Sequence, residues 1–558
     1  MKKIEKLILM SSALLMSAGA WADDFGDFGD FGGFDDETSG SSENAIEVSG
    51  NVSTDIRAYV DANDGESNDK IEVEAEPSGN LELAYSGNNS DLILSLCMDA
   101  NKIQNNPEDI IDELVLRGRL GDYVTVEAGK MKIVWGKGDK LHVLDNFNAD
   151  DYSDFIIPDY LDRRVSTPML RGIISLPVAN LNIEGVYTPL LPVDQFATSG
   201  RWEPAQVASL TNTITTVAKQ NVAAAFSRYT TATGTTTLAG LAYQTAGETY
   251  QKAAAAYQAN PTDTTMAAAF LAAKTAFETA QASYESAKLE LTNAGTAYML
   301  CLENANALSA DPTVIYPDLQ TLKYGQFGGR ATWTLGQIDM GLSYYNGWYK
   351  QPSVNGEKML PFMNKYLAGE AISEEDKFLA YDKKQTFGLE ASTILWHFNF
   401  RGEFAYNLTE DTDGTNPWIH NNSIGWLGGF DIDLPFWNAN LNVQEIGTFV
   451  MKGDECDNNK ANNIYSTDVD YCVNGYTNNK IAVNLTASFM NDKITPEVTV
   501  MYGFENKDFV VMPKVSYKAD QNLTFTASGM FINCGDDNSE FKAWEKNSFV
   551  SLGAQYQF

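Results

Sequence analysis

After Asn44 the chain is written in segments of about ten residues in which every second side chain is apolar. In Lys480 to Phe489, Ile481, Val483, Leu485, Ala487 and Phe489 share one face, while Ala482, Asn484, Thr486 and Ser488 share the other. The next segment sets Val498, Val500, Tyr502 and Phe504 against Glu497, Thr499 and Met501. Phe398, Phe400, Phe404, Tyr406 and Leu408 alternate with Asn399, Arg401, Glu403 and Asn407. A period of two puts the two sets on opposite faces of a strand. A soluble sandwich alternates too, but its two sheets share one core. Here segment after segment pairs an apolar face with a polar one and gathers aromatics at its ends, the pattern of strands that cross a membrane. No stretch holds ~18 unbroken apolar residues, so there is no membrane helix. The expected fold is an all-β transmembrane barrel.

Candidate strands fall near 45–60, 75–86, 91–98, 112–120, 124–134, 169–177, 179–190, 327–335 and 338–349. They continue near 384–394, 398–409, 421–432, 439–451, 480–490, 494–504, 509–518, 523–531 and 549–558. That makes 18 antiparallel strands within a range of 16–18, the barrel occupying 45–558. Short turns alternate with mostly long loops, and outer-membrane barrels keep the short turns in the periplasm. Parity then puts the 136–168 loop, the 191–326 insert and the 452–479 loop outside. The last segment sets Val550, Leu552, Ala554, Tyr556 and Phe558 on one face and Ser551, Gly553, Gln555 and Gln557 on the other. A closing amphipathic strand with a terminal aromatic resembles the signal that bacterial outer-membrane barrels present to their assembly machinery. Tyr556 and Phe558 are the expected insertion signal, with outer-membrane lipid as the surrounding partner.

Residues 1–22 read as a secretory signal peptide: Lys2, Lys3 and Lys6, an apolar core from Leu7 to Ala20, and an A-x-A site at Ala20-Trp21-Ala22. Residues 23–44 are an acidic D-F-G repeat that cannot bury a core and is expected to be disordered, either a solvated leader or a row of Phe stickers. The net charge of −35 argues against nucleic acid as a partner. Five Cys is an odd number for an exported chain. Cys456 and Cys472 fall in one expected external loop, where a disulfide would staple it.

Between residues 204 and 308 the alphabet changes to Ala, Thr, Gln, Tyr and Glu. Large residues recur every seven, at Tyr243, Tyr250 and Tyr257, then Phe270, Phe277, Tyr284, Leu291 and Tyr298, with alanines three later. This heptad seam, interrupted at Asn260-Pro261-Thr262-Asp263, predicts an antiparallel coiled-coil hairpin. Its second arm is expected to run about 35–40 residues, roughly 55 Å. The hairpin is either a projection for an extracellular partner or a lid over the barrel.

The stretch from Val124 to Arg171 starts as a strand and breaks at Trp135 into some thirty residues rich in Gly, Asp and Asn yet also aromatic. Loops of that length inside a domain are usually functional, and 136–168 is expected to fold inward and narrow the pore. Arg117 and Arg119 lie opposite Leu114, Leu116 and Leu120, and across the turn at Gly121-Asp122-Tyr123 they face Glu127 and Thr125. Lys130 then falls on the lipid face, unless a bulge at Gly129 turns it inward. Arg163, Arg164 and Arg171 face Asp145 and Asp162 among the loop acids. Together these charges are candidates for a constriction with a transverse field, or for internal salt bridges that hold the loop down.

The loop's Trp135, Gly136, Gly138, Asp139, Leu144, Asp145, Asn148, Asp154, Phe155, Asp162 and Arg163, followed by Pro168-Met169, resemble a family of bacterial outer-membrane barrels of largely unassigned function, distantly similar to alginate-export porins. The likeness covers about 60 residues, and Ala149 stands where a Pro is expected. It implies an outer-membrane pore with a structured loop and names no substrate. His142, His397 and His420 lack metal-ligand spacing, and neither a metal, a cofactor nor a catalytic residue is assigned. The expected function is a porin passing small polar or charged solutes. A barrel-anchored adhesin using the hairpin is the alternative, and an outer-membrane hydrolase a weaker one.

Overall fold

The computed structural model describes residues 46–60, 72–99, 110–139, 141–154, 163–197, 200–462, 467–468, 475–536, 539 and 541–558. The expected signal peptide, the acidic tail, Phe155, Asp162 and Cys472 lie outside the described residues.

Among the described residues, 18 strands form one antiparallel sheet. They are β1 (Ile46–Tyr59), β2 (Val73–Ser86), β3 (Ser90–Cys97), β4 (Ile111–Leu120), β5 (Val124–Met131), β6 (Thr167–Leu176), β7 (Leu181–Thr188), β8 (Gln326–Leu335) and β9 (Ile338–Trp348). The rest are β10 (Lys383–Leu395), β11 (Phe398–Leu408), β12 (Ser423–Leu434), β13 (Ala439–Val450), β14 (Thr477–Thr486), β15 (Ile494–Gly503), β16 (Phe509–Lys518), β17 (Leu523–Asn533) and β18 (Phe549–Gln557). All 18 expected segments are strands. The sheet closes because β1 pairs with β18, from Asn51–Gln557 to Tyr59–Phe549. Gly50 and Phe558 exchange backbone hydrogen bonds at the seam. An added Cβ at Gly50 would sit 2.4 Å from the Asn80 carbonyl oxygen, so only glycine fits where the terminal ring lies.

The two faces are inverted relative to a soluble barrel. Outward side chains such as Leu116, Leu120, Leu389 and Leu552 are exposed, while Glu127, Glu184, Glu390, Glu403 and Thr499 are buried inside. Leucine at the exposed positions fits a hydrocarbon solvent, and a closed ladder leaves no backbone edge unsatisfied in it. Lys130 takes the outward option, since its partners Leu114 and Pro168 are outward and its ammonium reaches the Ile111 carbonyl at 2.7 Å.

β1 starts and β18 finishes at the end of the barrel that carries short turns, such as 87–89, 121–123, 177–180 and 336–337. Ala179-Asn180 and Trp437-Asn438 hold consecutive positive φ values. Primed turns of that kind match the twist of the strands they join. The long connections, including 132–166, 189–325 and 349–382, all join strands at their other ends.

The β7–β8 connection contains α1 (Ala205–Ala259) and α2 (Thr264–Ala310), with the Asp263 side chain capping α2. α2 has 47 residues, longer than expected, so about 70 Å. The added length comes at its C-terminal end, where the seam continues through buried Cys301 and Leu308. Residues 209–317 and 355–378 form one compact unit and the barrel residues another. Within the helical unit the expected seam is a ladder of rings: Tyr243 stacks on Phe277 and Tyr284, Tyr250 on Phe270 and Phe277, and Tyr257 on Phe270. Three rings lie over glycines. Tyr284 lies on Gly240, Phe277 on Gly247, and Tyr229 on Gly295.

Tyr250→Ala removes two stacked pairs, each worth about 0.5–1.5 kcal/mol beyond burial, so the helix pair is expected to lose about 1–3 kcal/mol. Limited proteolysis of the intact chain should show faster cleavage inside 205–310 and an unchanged barrel. Cleavage at the wild-type rate would mean the rings are not what holds the helices together.

Candidate functional site

β5 stops at Met131 because the next backbone amides leave the ladder. Lys132 N donates to the Glu113 carboxylate at 2.8 Å, and Ile133 N to Asn148 Oδ1 at 3.0 Å. Asn148 in turn donates to the carbonyls of Met131 and Val165, both at 3.0 Å, so one side chain ties the start of the loop to its return. Short strands at Ala149–Tyr152, Arg164–Val165 and Gln195–Phe196 complete that tie as a small sheet of their own. The second barrel strand of the pair, β6, resumes at Thr167, two residues earlier than expected.

The loop turns into the barrel and is held by its wall. Glu403 of β11 accepts backbone N–H groups from Lys137 (2.7 Å), Gly138 (2.7 Å) and Val143 (2.9 Å), and His142 Nδ1 lies 3.0 Å away. A Cβ on Gly136 would lie 2.2 Å from that carboxylate, and one on Gly138 would lie 2.0 Å from the Leu141 carbonyl. Gly136 lets the carboxylate approach the backbone, and Gly138 lets the loop close on its own Leu141 carbonyl. Asp139 pairs with Arg401 of β11 and accepts from Asn442 of β13. Trp135 Nε1 donates to Glu184 of β7 at 3.0 Å, and Arg330 of β8 donates to the Gly136 carbonyl at 3.3 Å. Phe147 packs edge-on against Trp135 and Tyr345. On the opposite wall, Asp154 meets Arg57 of β1 at 3.1 Å, and Tyr152, Phe196 and Trp202 pack with Tyr59, Met501, Val510, Met530 and Phe549. The loop therefore spans the lumen from β7–β13 to β1 and β15–β18.

Along β3–β7 runs an alternating chain of charges. Asp91 holds Arg119 at 2.7 Å and Arg117 at 3.7 Å. Glu127 holds Arg117 at 2.7 Å and Arg171 at 3.1 Å, and Glu184 holds Arg171 at 2.8 Å. The carboxylate side chains are 4–9% exposed, whereas Arg117, Arg171 and Arg119 are 16%, 26% and 39% exposed. Arg330 over Glu390 repeats the order, 13% against 1%. The acids sit against the wall and the guanidinium groups face the lumen.

The other candidates divide differently. Arg164 and Asp145 form a 2.5 Å pair at 2% exposure, and Arg163 lies buried over the Tyr152 ring. Both arginines are thus inside the loop's own packing, out of a solute's reach. Cys456 is buried and accepts weakly from Asn421 at 3.6 Å. Glu403, Glu184, Asp91, Arg330 and Arg401 are absent from the sequence-based candidates. Alternation puts each on the polar face, but nothing local says which of them meets the loop.

Burial opposes charge on His142, yet the Glu403 carboxylate and its hydrogen bond outweigh it, with Asp145 adding to them and Arg164 opposing, so its pKa is raised.

The fold and its inward loop define a membrane-spanning 18-stranded barrel with a structured lumen. No family model matches the chain, and no curated protein matches it. Solved structures similar to it include a BenF-like porin from Pseudomonas fluorescens Pf-5 (TM-score 0.40, 9% identity, 93% of this chain and 99% of that one). OccAB3 of Acinetobacter baumannii gives 0.41 and 8%, covering 92% and 99%, and Salmonella typhi OmpF in complex with daunomycin gives 0.35 and 6%, covering 92% and 98%. The barrel is defined by its own closed ladder of 18 strands among the described residues.

Glu403→Gln leaves the shape but replaces one acceptor oxygen with a donor facing other donors. Breaking such a buried constellation costs about 3–5 kcal/mol. The barrel should keep its heat-modifiable migration while trypsin gains access to Lys137; equal protection of the loop would refute the latch. The same latch has a pH sign. A raised imidazole pKa stabilises most fully below its ordinary value of about 6.5 and loses that contribution as pH rises through the raised value. Loop cleavage should therefore accelerate at alkaline pH, and His142→Asn should flatten the profile.

Proposed function

We propose that the chain is an outer-membrane channel for small polar solutes, with anions favoured. The observation that carries this reading is the order of charge in the wall: carboxylates buried behind Arg117, Arg119 and Arg171, with guanidinium groups outermost. With the loop anchored on β1, β7, β8, β11 and β13, the passage runs off-centre beside β3–β6. There a solute meets planar guanidinium groups that the wall carboxylates hold in place. Arg163, Arg164 and Asp145 hold the loop rather than touch the solute. The long loops face outside, the segment 1–22 directs export, and the outward Tyr556 and Phe558 of the closing strand are what the assembly machinery reads.

A second reading, the barrel as anchor for a partner-binding helix pair, draws on the exposed Leu238, Leu241, Leu271 and Leu289 of α1 and α2. Deleting 204–308 separates the two: a channel keeps its conductance, whereas an adhesin loses its partner.

Refolded protein in a planar bilayer should give stable conductance steps, and reversal potentials under a salt gradient should show anion preference. Replacing Arg117 and Arg119 by Ser should move the reversal potential toward cation preference. A silent bilayer with an intact barrel, or an unmoved potential, would overturn the reading.

A further inference from the structure

Among the described residues, the outward faces of the strands carry one carboxylate at mid-strand, Glu445 of β13. Its cross-strand partners are Gly428 of β12 and Ile481 of β14, while its neighbours Gln444 and Ile446 are buried inward. Both carboxylate oxygens accept from a single donor, Trp426 Nε1–H, at 3.2 and 3.1 Å. The closest outward amide, Asn479, is committed to Glu505.

The surface beside Glu445 is hollow. Gly428 pairs with Gly402 and Gly402 with Ala391, so one row of the outer face reads Ala391, Gly402, Gly428, Glu445. A Cβ added at Gly428 would meet nothing within 4 Å. The adjoining rows carry Phe404 and Trp426 on one side and Phe400 and Phe430 on the other. Three strand spacings make this a trough about 14 Å long, floored by backbone, walled by rings and ended by a carboxylate.

We infer that the trough seats an outer-leaflet lipid whose acyl chain carries a hydroxyl or amide N–H donor near its polar end. This rests on the proposed placement of the long loops outside. The Phe404–Trp426 row lies at the aromatic level of that end, and Glu445 lies two residues, about 7 Å, deeper. That is the depth of the first carbons of an acyl chain. Beyond the Trp426 N–H, the carboxyl's lone pairs face hydrocarbon that offers no donor. An intramembrane acid in that position calls for a specific partner. A plain acyl chain fills the trough without answering the carboxylate, and a water-soluble ligand answers it without reaching it. A donor-bearing acyl chain does both.

The test compares full-length protein loaded with phosphatidylethanolamine bearing 3-hydroxyacyl chains and with the same lipid lacking the hydroxyl. Native mass spectrometry should show the hydroxylated lipid retained about tenfold better, with a higher unfolding temperature. Glu445→Leu and Gly428→Leu should each abolish the discrimination; both put an apolar side chain against lipid and leave the ladder intact. Equal retention of the two lipids, or discrimination surviving in both variants, would overturn the proposal. So would cross-linked dimers through Glu445→Cys, which would assign the face to a second copy. Glu445 does not face the lumen, so conductance is unmoved in these variants and the channel reading stands or falls separately.

Discussion

A carboxylate in a membrane barrel must find donors or water, and Glu403 finds the backbone of a loop. Three N–H groups and His142 converge on it, and the placement of residues 136–138 and 142–143 against the wall follows from that meeting. Charge-assisted hydrogen bonds of this kind are about twice as strong as neutral ones. Because the acceptor belongs to the wall, its strength is spent on placing the loop across the lumen and not merely on shaping it. The buried Arg164–Asp145 pair and the Asn148 bridge then fix the loop's own register. Desolvating an ion pair is costly enough that such a pair adds more to uniqueness than to stability.

The wall of β3–β7 uses the same chemistry for a different end. Formal charges there cancel in pairs, but they are not at equal depth. Carboxylates close to the backbone and long arginine stems reaching past them leave a neutral ladder with a positive surface. Charge order, and not net charge, is what a solute would meet, which is how a chain of net charge −35 can present guanidinium groups to its lumen.

The strands were legible in the sequence because a lipid-facing band and a watery lumen force a strict period of two. Arg117 opposite Glu127 and Arg119 opposite Thr125 were legible for the same reason: a three-residue turn sets the register locally, and the ladder has those pairs. The ring seam of the helices was legible from its spacing of seven, although the glycines beneath the rings and the seam's length were not, since Cys301 and Leu308 continue it without an aromatic to mark it. Glycine, tryptophan and aspartate marked the loop as structured. Nothing in 136–168 named Glu403, which lies 260 to 266 residues along the chain from the groups it holds.

By itself, then, the sequence determined the architecture: closed strands, a polar interior, long loops at one end, a helical pair in one connection and a folded loop after β5. Those features are periodic or local, and hydrophobic burial against lipid reads directly from such patterns. Only the tertiary structure decided which charges meet. It sent Arg163 and Arg164 into the loop's packing, left Arg117, Arg119 and Arg171 on the lumen, and put Glu445 beside two glycines on the outer face. Partnership across a closed sheet depends on strand order, register and the path of a loop through the middle, and none of these is a property of neighbouring residues.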